Sequence, residues 1–241
     1  MSMKMSSISF DYTGKVAVVF GGSRGIGKEV CKQFQKSGAT VYCVARNNSD
    51  LFGVNFLKCD ISNEEEINFL LDKLNKIDYI INVAGTNLCK QIDHIDSAEW
   101  DRLMNVNLKS FFLICKKAIP LMKANGGGRI VNVSSIAGRH KSIVSGTHYT
   151  ASKYGIIGLT KQLAHEVAKD NILVNCVCPS QTMTEMLRES MTKEEIKDLE
   201  LKIPIRKIAT TTQQALPILF LCSDAASYMS GAAIDVNGGQ F

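Results

Sequence analysis

The chain has 241 residues, 45% hydrophobic and 21% charged with only 4 Pro, which excludes a disordered chain, a collagen-like fibre and a small disulfide scaffold. Lys plus Arg exceed Asp plus Glu, 28 against 23, for a net charge of +5; the excess is spread along the chain, suiting an anionic small ligand rather than nucleic acid. No apolar run reaches the roughly 18 residues of a membrane helix.

Apolar runs alternate with helical patterns along the chain. Met1–Gly14 has one Lys and no apolar core of a signal peptide, which predicts a cytoplasmic protein. Strands are expected at Lys15–Phe20, Thr40–Ala45, Asn55–Cys59, Asp78–Val83, Arg129–Ser134, Ile172–Cys178 and Ala232–Val236, and helices over Gly25–Gly38, Glu64–Asn75, Ser97–Met122, Tyr149–Lys169 and Thr211–Leu221. Strict alternation means parallel strands joined by crossovers, hence an α/β fold with a doubly wound sheet of about seven strands, helices on both faces, and a single domain over 1–241. Arg46–Cys59, with Asn47, Asn48 and Gly53, has no room for a full helix and predicts a loop or one turn. In Met183–Ala209 the apolar Met183, Met186, Leu187, Met191, Ile196 and Leu199 interleave with charges, the pattern of short amphipathic helices forming a substrate lid. Pro217 must kink its helix or sit in the first turns. The 8 cysteines read as reduced core residues. Cys176 and Cys178 are the closest pair, with no partner cluster beside them, and no metal site is expected.

Val16–Phe20 runs into Gly21-Gly22-Ser23-Arg24-Gly25-Ile26-Gly27 and then a helix. Glycine suits a turn whose backbone takes restricted angles and lies close to a pyrophosphate, and the helix N-terminus offers free N–H groups to the anion. A dinucleotide site is therefore expected. Folds that bind NAD carry an acid at the end of the second strand for the ribose 2′-hydroxyl. Here Val41–Val44 ends in Ala45-Arg46. An Arg fork pairs with a 2′-phosphate that an acid would repel, and Arg24 offers a second charge, so NADP(H) is expected over NAD(H).

Tyr149-Thr150-Ala151-Ser152-Lys153 opens a helix. The four-residue spacing puts Tyr149 and Lys153 on one face, where the ammonium favours phenolate and draws the phenol toward neutral-pH proton transfer. Fourteen residues before Tyr149, Ser134-Ser135-Ile136-Ala137-Gly138 closes a strand and faces the crevice where such sheets bind ligands.

These segments, with Asp60, Asn82-Val83-Ala84-Gly85, Val106-Asn107-Leu108, Asn175–Pro179 and Asp235–Gly239 in the same order and spacing, make the chain resemble the short-chain dehydrogenase/reductase family from about Lys15 to Gly239. The resemblance implies a Rossmann-type sheet and a metal-free hydride transfer between nicotinamide C4 and a carbonyl or carbinol carbon. It implies Tyr149 as the acid–base and Lys153 as holder of the nicotinamide ribose. Ser135 would polarise the substrate oxygen, and Asn107 would anchor a water in a proton relay. Gly21, Ser23, Arg24, Ile26, Gly27 and Arg46 would bind the cofactor, as would Asp60, Ile61, Asn82, Ala84, Gly85, Pro179, Thr182 and Thr184. Phe20 and Ser180 stand where the family carries Thr and Gly.

Among relatives the chain looks most like 3-oxoacyl-acyl-carrier-protein reductases, which implies a thioester ketone substrate, a role in fatty acid biosynthesis and an acyl-carrier protein as partner. Arg129 matches one carrier-facing position, while Asp170 or Asn171 stands where the second Arg is expected. Sugar, polyol and general carbonyl reductases share every catalytic residue. Arg139-His140-Lys141 forms a basic run at the mouth of the site that would attract an anionic substrate. His148 and Trp100 are expected to pack, and His94 and His165 to lie on the surface. The family's dimers and tetramers imply a homotetramer or homodimer through the Ser97–Met122 and Tyr149–Lys169 helices, whose apolar Phe111, Phe112, Ile114, Ile156, Leu159 and Leu163 permit such an interface or equally pack inward. The competing reading, a dinucleotide-binding module without catalysis, calls for the loss of Tyr149 or Lys153, and both are present.

Overall fold

A computed structural model describes residues 9–48, 50–142 and 145–240, with the backbone alone for residues 186 and 190, so the side chain of Met186 lies outside the described ones. In chain order the elements are β1 Val16–Phe20, α1 Gly25–Lys36, β2 Thr40–Ala45, β3 Asn55–Lys58, α2 Glu64–Leu71, β4 Tyr79–Asn82, α3 Ser97–Met104, α4 Ser110–Ala124, β5 Gly128–Val133, α5 Thr147–Val167 and β6 Ile172–Pro179. Then follow β7 Thr182–Met183, α6 Glu185–Ser190, α7 Lys193–Leu201, β8 Ala209–Thr210, α8 Thr211–Cys222 and β9 Ala233–Val236. Seven strands form one sheet in the order β3-β2-β1-β4-β5-β6-β9, every pair parallel. The doubly wound sheet is as expected.

Alternate residues of each strand feed two separate cores, which is why the strands read as unbroken apolar runs. Val18, Phe20, Ile80, Ile130 and Val174 face α2, α4 and α5. Ala17, Val19, Ile81, Val131 and Val177 face Val30 and Phe34 of α1 and Ala215, Ile218 and Leu219 of α8. Phe20 is fully buried in the first of these.

Two expectations are corrected. The helix over Ser97–Met122 is α3 and α4 joined by a π-turn, Asn105–Lys109, because Asn107 turns its amide to the backbone of Thr86. Such a turn inserts a residue and shifts the phase of the helix after it. The second helix stops at Leu71, where i→i+3 bonds from Lys73 and Leu74 tighten the chain. Apart from these, Pro217 lies within α8, where it has no N–H to give the Gln213 carbonyl.

Side chains cap most helix starts: Asn63 on α2, Asp96 on α3, Thr184 on α6, Thr192 on α7 and Thr210 on α8. Helices α1 and α5 begin at Arg24 and Gly146 without one. Between β1 and α1 the chain turns so tightly that a Cβ on Gly27 would stand 2.1 Å from the Gly21 carbonyl oxygen. Gly27→Ala is therefore expected to cost about 1–3 kcal/mol of strain, lowering the thermal midpoint by about 2–12 °C at this chain length. An unchanged midpoint in differential scanning calorimetry would show that the turn gives way freely.

Candidate active site

The crevice opens at the carboxyl ends of β1 and β4, where the direction of strand order reverses and sheets of this kind bind ligands. Gly21, at φ +89°, donates its N–H to Val44 O at 2.8 Å, and its Cα presses on the backbone of Ala84, where a Cβ would come within 2.6 Å. Ser23, Arg24 and Ile26 follow, and α1 starts with no capping side chain and no acid in its first turn. Its N–H groups and partial positive charge are thus left to an outside anion. That uncapped start, under a loop closed against backbone, fits the pyrophosphate of a nicotinamide dinucleotide.

Arg24 and Arg46 are exposed, and β2 ends without an acid. Past β3, Asp60 accepts from Ser62 N at 2.9 Å and Ser62 Oγ at 2.7 Å. These hydrogen bonds, with help from the Arg46 charge, hold its carboxyl below the usual range. Ile61 beside it is buried. Asn82 is fully buried: its amide donates to Asn132 Oδ1 at 2.9 Å, and Asn132 donates to Thr160 Oγ1 at 2.9 Å. This buried polar chain ties β4 and β5 to α5.

The segment after β4 carries the crevice floor. Val83 N and Ala84 N both donate to Phe20 O at 2.9 Å. Gly85 is exposed, and a Cβ there would lie 3.4 Å from Asn107 Oδ1 and 3.6 Å from Lys153 Nζ. Thr86 N donates to Asn107 Oδ1 and Asn107 Nδ2 donates to Thr86 O, each at 2.8 Å. Asn107 Nδ2 also reaches Ser152 Oγ at 3.3 Å, and that hydroxyl donates to Tyr149 O at 2.7 Å.

Lys153 is buried, its Nζ 5.5 Å from the Tyr149 ring centroid and donating to Val133 O at 3.1 Å. An ammonium has three donors, so two remain for a ribose or a water. Ser135 Oγ accepts from Ala137 N at 3.1 Å at the start of a short 3₁₀ turn, Ile136–Gly138, leaving its proton to donate. Its neighbour Ser134 donates to Lys153 O at 2.8 Å. Sequence reasoning passed over Ser134, Thr86 and Ser152, whose roles depend on partners far along the chain. Beyond β6, which ends in Pro179, Thr182 Oγ1 donates to Ser180 O at 3.0 Å. Thr184 accepts from Leu187 N, and its Cγ2 lies 3.3 Å from where a Gly25 Cβ would stand. The base of 183–209 thus touches the glycine loop.

Other expectations divide. Arg139 is engaged with Asp235, Nε to Oδ1 at 3.1 Å and Nη2 to Oδ2 at 3.2 Å, so the basic run does not offer its guanidinium to a ligand. Trp100 is 38% exposed on a groove of about 360 Å³ lined also by Ile92, Ile95 and Thr147, and so does not serve as core packing. His148 is buried, and His94 and His165 are exposed. Phe111, Ile114 and Ile156 point into the protein, leaving Phe112 exposed with Leu159 and Leu163 half-buried. Seven cysteines are buried, but Cys89 is exposed. No helix among the described residues is long and apolar enough to cross a membrane.

Residues 21–240 match a family model described as enoyl-(acyl carrier protein) reductase. The chain is 33% identical over 237 residues to dehydrogenase/reductase SDR family member 6 of Aquarana catesbeiana, covering 94% of this chain and 97% of that protein. It is 34% identical over 245 residues to a 3-oxoacyl-[acyl-carrier-protein] reductase of Aquifex aeolicus, covering 95% and 98%. Among solved structures, the ligand-free aldohexose dehydrogenase of Thermoplasma acidophilum superposes with a TM-score of 0.90 at 27% identity, covering 95% of this chain and 94% of that one. With the glycine turn, the parallel sheet and the Tyr149–Lys153 pair already placed, the match over nearly the full length leaves one conclusion: this chain belongs to the short-chain dehydrogenase/reductase family of oxidoreductases, which bind a nicotinamide dinucleotide.

Proposed function

We propose that the chain is an NADP(H)-dependent oxidoreductase interconverting a ketone and its alcohol, working as one unit over 1–241 with 183–209 as its lid. The observation that carries this reading is the convergence of Lys153, Asn107 and Gly85 beside the Tyr149 ring. When bound, the nicotinamide dinucleotide supplies or accepts the hydride. Tyr149 Oη gives the proton to the substrate oxygen in reduction and removes it in oxidation. Lys153, its ammonium next to the phenol, stabilises phenolate and keeps donors for the nicotinamide ribose. Ser135 donates its free hydroxyl proton to the same substrate oxygen. Asn107 sets the position of Ser152 and, through it, the Tyr149 turn, and anchors the water of a relay to Lys153. The uncapped start of α1, with Ser23 and Ile26, takes the pyrophosphate, while Asp60 and Ile61 border the adenine. Pro179, Thr182 and Thr184 border the nicotinamide.

Exposed Arg46 at the acid-free end of β2, with exposed Arg24 in the glycine loop, supports a 2′-phosphate and hence NADP(H). The substrate class we favour is a 3-oxoacyl thioester, supported by the likeness to the Aquifex aeolicus reductase and by the net positive charge. Of the two positions at which an acyl-carrier protein would be met, Arg129 lies half-buried at the amino end of β5, the edge of the sheet opposite the crevice, and Asp170 is occupied by Lys123 at 2.7 Å, so neither adds support for a carrier as donor. The likeness to an aldohexose dehydrogenase favours a sugar as the second reading. Exposed Phe112 of α4 borders a groove of about 440 Å³ with Met104 of α3, Leu108 of the π-turn and Leu159 of α5, a face suited to a second copy in a dimer or tetramer. Buried free thiols suit a reducing cytoplasm.

Tyr149→Phe is expected to lower kcat by at least about a hundredfold while the Kd for NADPH stays within about threefold. Turnover near wild type would remove Tyr149 from the acid–base role. Arg46→Glu is expected to weaken NADPH binding about 10- to 100-fold, the loss of a charge-assisted pair, and to leave NADH binding unchanged or strengthened, since an acid there can meet the ribose 2′-hydroxyl. Equal effects on both cofactors, read by fluorescence titration, would contradict the 2′-phosphate assignment.

A further inference from the structure

Three side chains that take no part in the chemistry above meet beneath the first turn of α5. Glu99, in the first turn of α3, is 4% exposed, and His148, the residue before Tyr149, is 0% exposed. Lys90 Nζ donates to Glu99 Oε2, and His148 Nε2 stands 3.5 Å from Glu99 Oε1. Neither imidazole nitrogen has a hydrogen-bond partner among the described residues, so the Glu99 carboxylate is the charge that the buried ring faces. A Glu in a helix's first turn is ordinarily explained by the dipole and reaches water. This one is drawn inside, where a carboxylate is costly unless cations meet it. The Lys90 ammonium holds its carboxyl below the usual range, His148 adding to the effect.

The three residues come from three parts of the chain: segment 83–91, α3 and α5. The same seam is closed by Gly146 N donating to Leu88 O at 3.1 Å, and the His148 ring lies so close to Gly146 that a Cβ there would be 2.6 Å from Cε1. Helix α5 has no side-chain cap to fix its start. Successive helical residues are about 100° apart, so the inward direction of His148 decides where Tyr149 points.

We propose that Glu99 is a positioning residue for Tyr149: its carboxylate, clamped by Lys90, holds His148 inward and thereby sets the rotation of the first turn of α5 against segment 83–91. The proposal rests on the reading of Tyr149 as the acid–base. A displacement of about 1 Å at a reacting group is enough to slow turnover strongly.

The test compares Glu99→Gln, Lys90→Met and Lys90→Arg with wild type in NADPH-dependent reduction of an acetoacetyl thioester, and follows amide hydrogen exchange of residues 145–153 in the protein without cofactor. Glu99→Gln is expected to lower kcat about tenfold with the NADPH Kd within twofold, and to raise exchange in 145–153 selectively. Lys90→Met should move both readouts the same way and add little on top of Glu99→Gln, since both act through one carboxylate, whereas Lys90→Arg should keep wild-type values. If Glu99→Gln does not fold, the half-exposed Lys90 pair decides alone, with loss in Met and retention in Arg as the supporting result. Wild-type kcat and exchange in Lys90→Met, or a lowered thermal midpoint with unchanged kcat and exchange, would overturn the proposal. The Tyr149→Phe control separates the two failures: if that variant still turns over, the acid–base reading falls and this proposal with it, and if it is inactive while the Glu99 and Lys90 variants match wild type, this proposal alone falls.

Discussion

The reciprocal pair of hydrogen bonds between the Asn107 amide and the backbone of Thr86, 2.8 Å in each direction, holds the crevice together. Segment 83–86 leaves the sheet at the carboxyl end of β4, where no strand ladder can support it. It is pinned at one end by Val83 and Ala84 donating to Phe20 O and at the other by Asn107. Everything around it then has a fixed distance. Gly21 presses on Ala84, Gly85 faces Lys153 Nζ, and Asn107 reaches α5 through Ser152. The glycine turn and the Tyr149–Lys153 pair are therefore two sides of one short segment rather than two independent sites.

Charge is arranged around that segment with little redundancy. Lys153 is buried with one carbonyl partner at 3.1 Å, and its other donors face the crevice. The start of α1 has neither cap nor acid, so an anionic ligand completes the helix instead of competing with a side chain. Most of the other helix starts carry their own caps. The exposed Arg24 and Arg46 extend the positive field outward from α1.

The sheet was legible because its parallel strands are buried on both faces and so read as apolar runs. The glycine turn, Tyr149, Lys153, Ser135 and Asn107 were legible as short motifs in family order. What was not legible depends on distant partners. The π-turn at Asn105–Lys109 exists because Asn107 bonds to Thr86, and apolar periodicity runs through it unbroken. Arg139 read as a free basic residue because its partner Asp235 is 96 positions away. Asn82, read as lining the crevice, is taken up by Asn132 across the sheet. Glu99 had an ordinary explanation as a first-turn acid, and only its burial beside His148 sets it apart.

The central claim is that the crevice binds NADP(H) and uses it on a carbonyl. It is tested most directly by titrating the wild-type protein with NADPH and with NADH by fluorescence, followed by NADPH consumption with an acetoacetyl thioester, simple diketones and keto-sugars. The account predicts tighter binding of NADPH than NADH and reduction of at least one carbonyl, the thioester first. Tighter binding of NADH, or NADPH binding without turnover of any carbonyl in the panel, would contradict it.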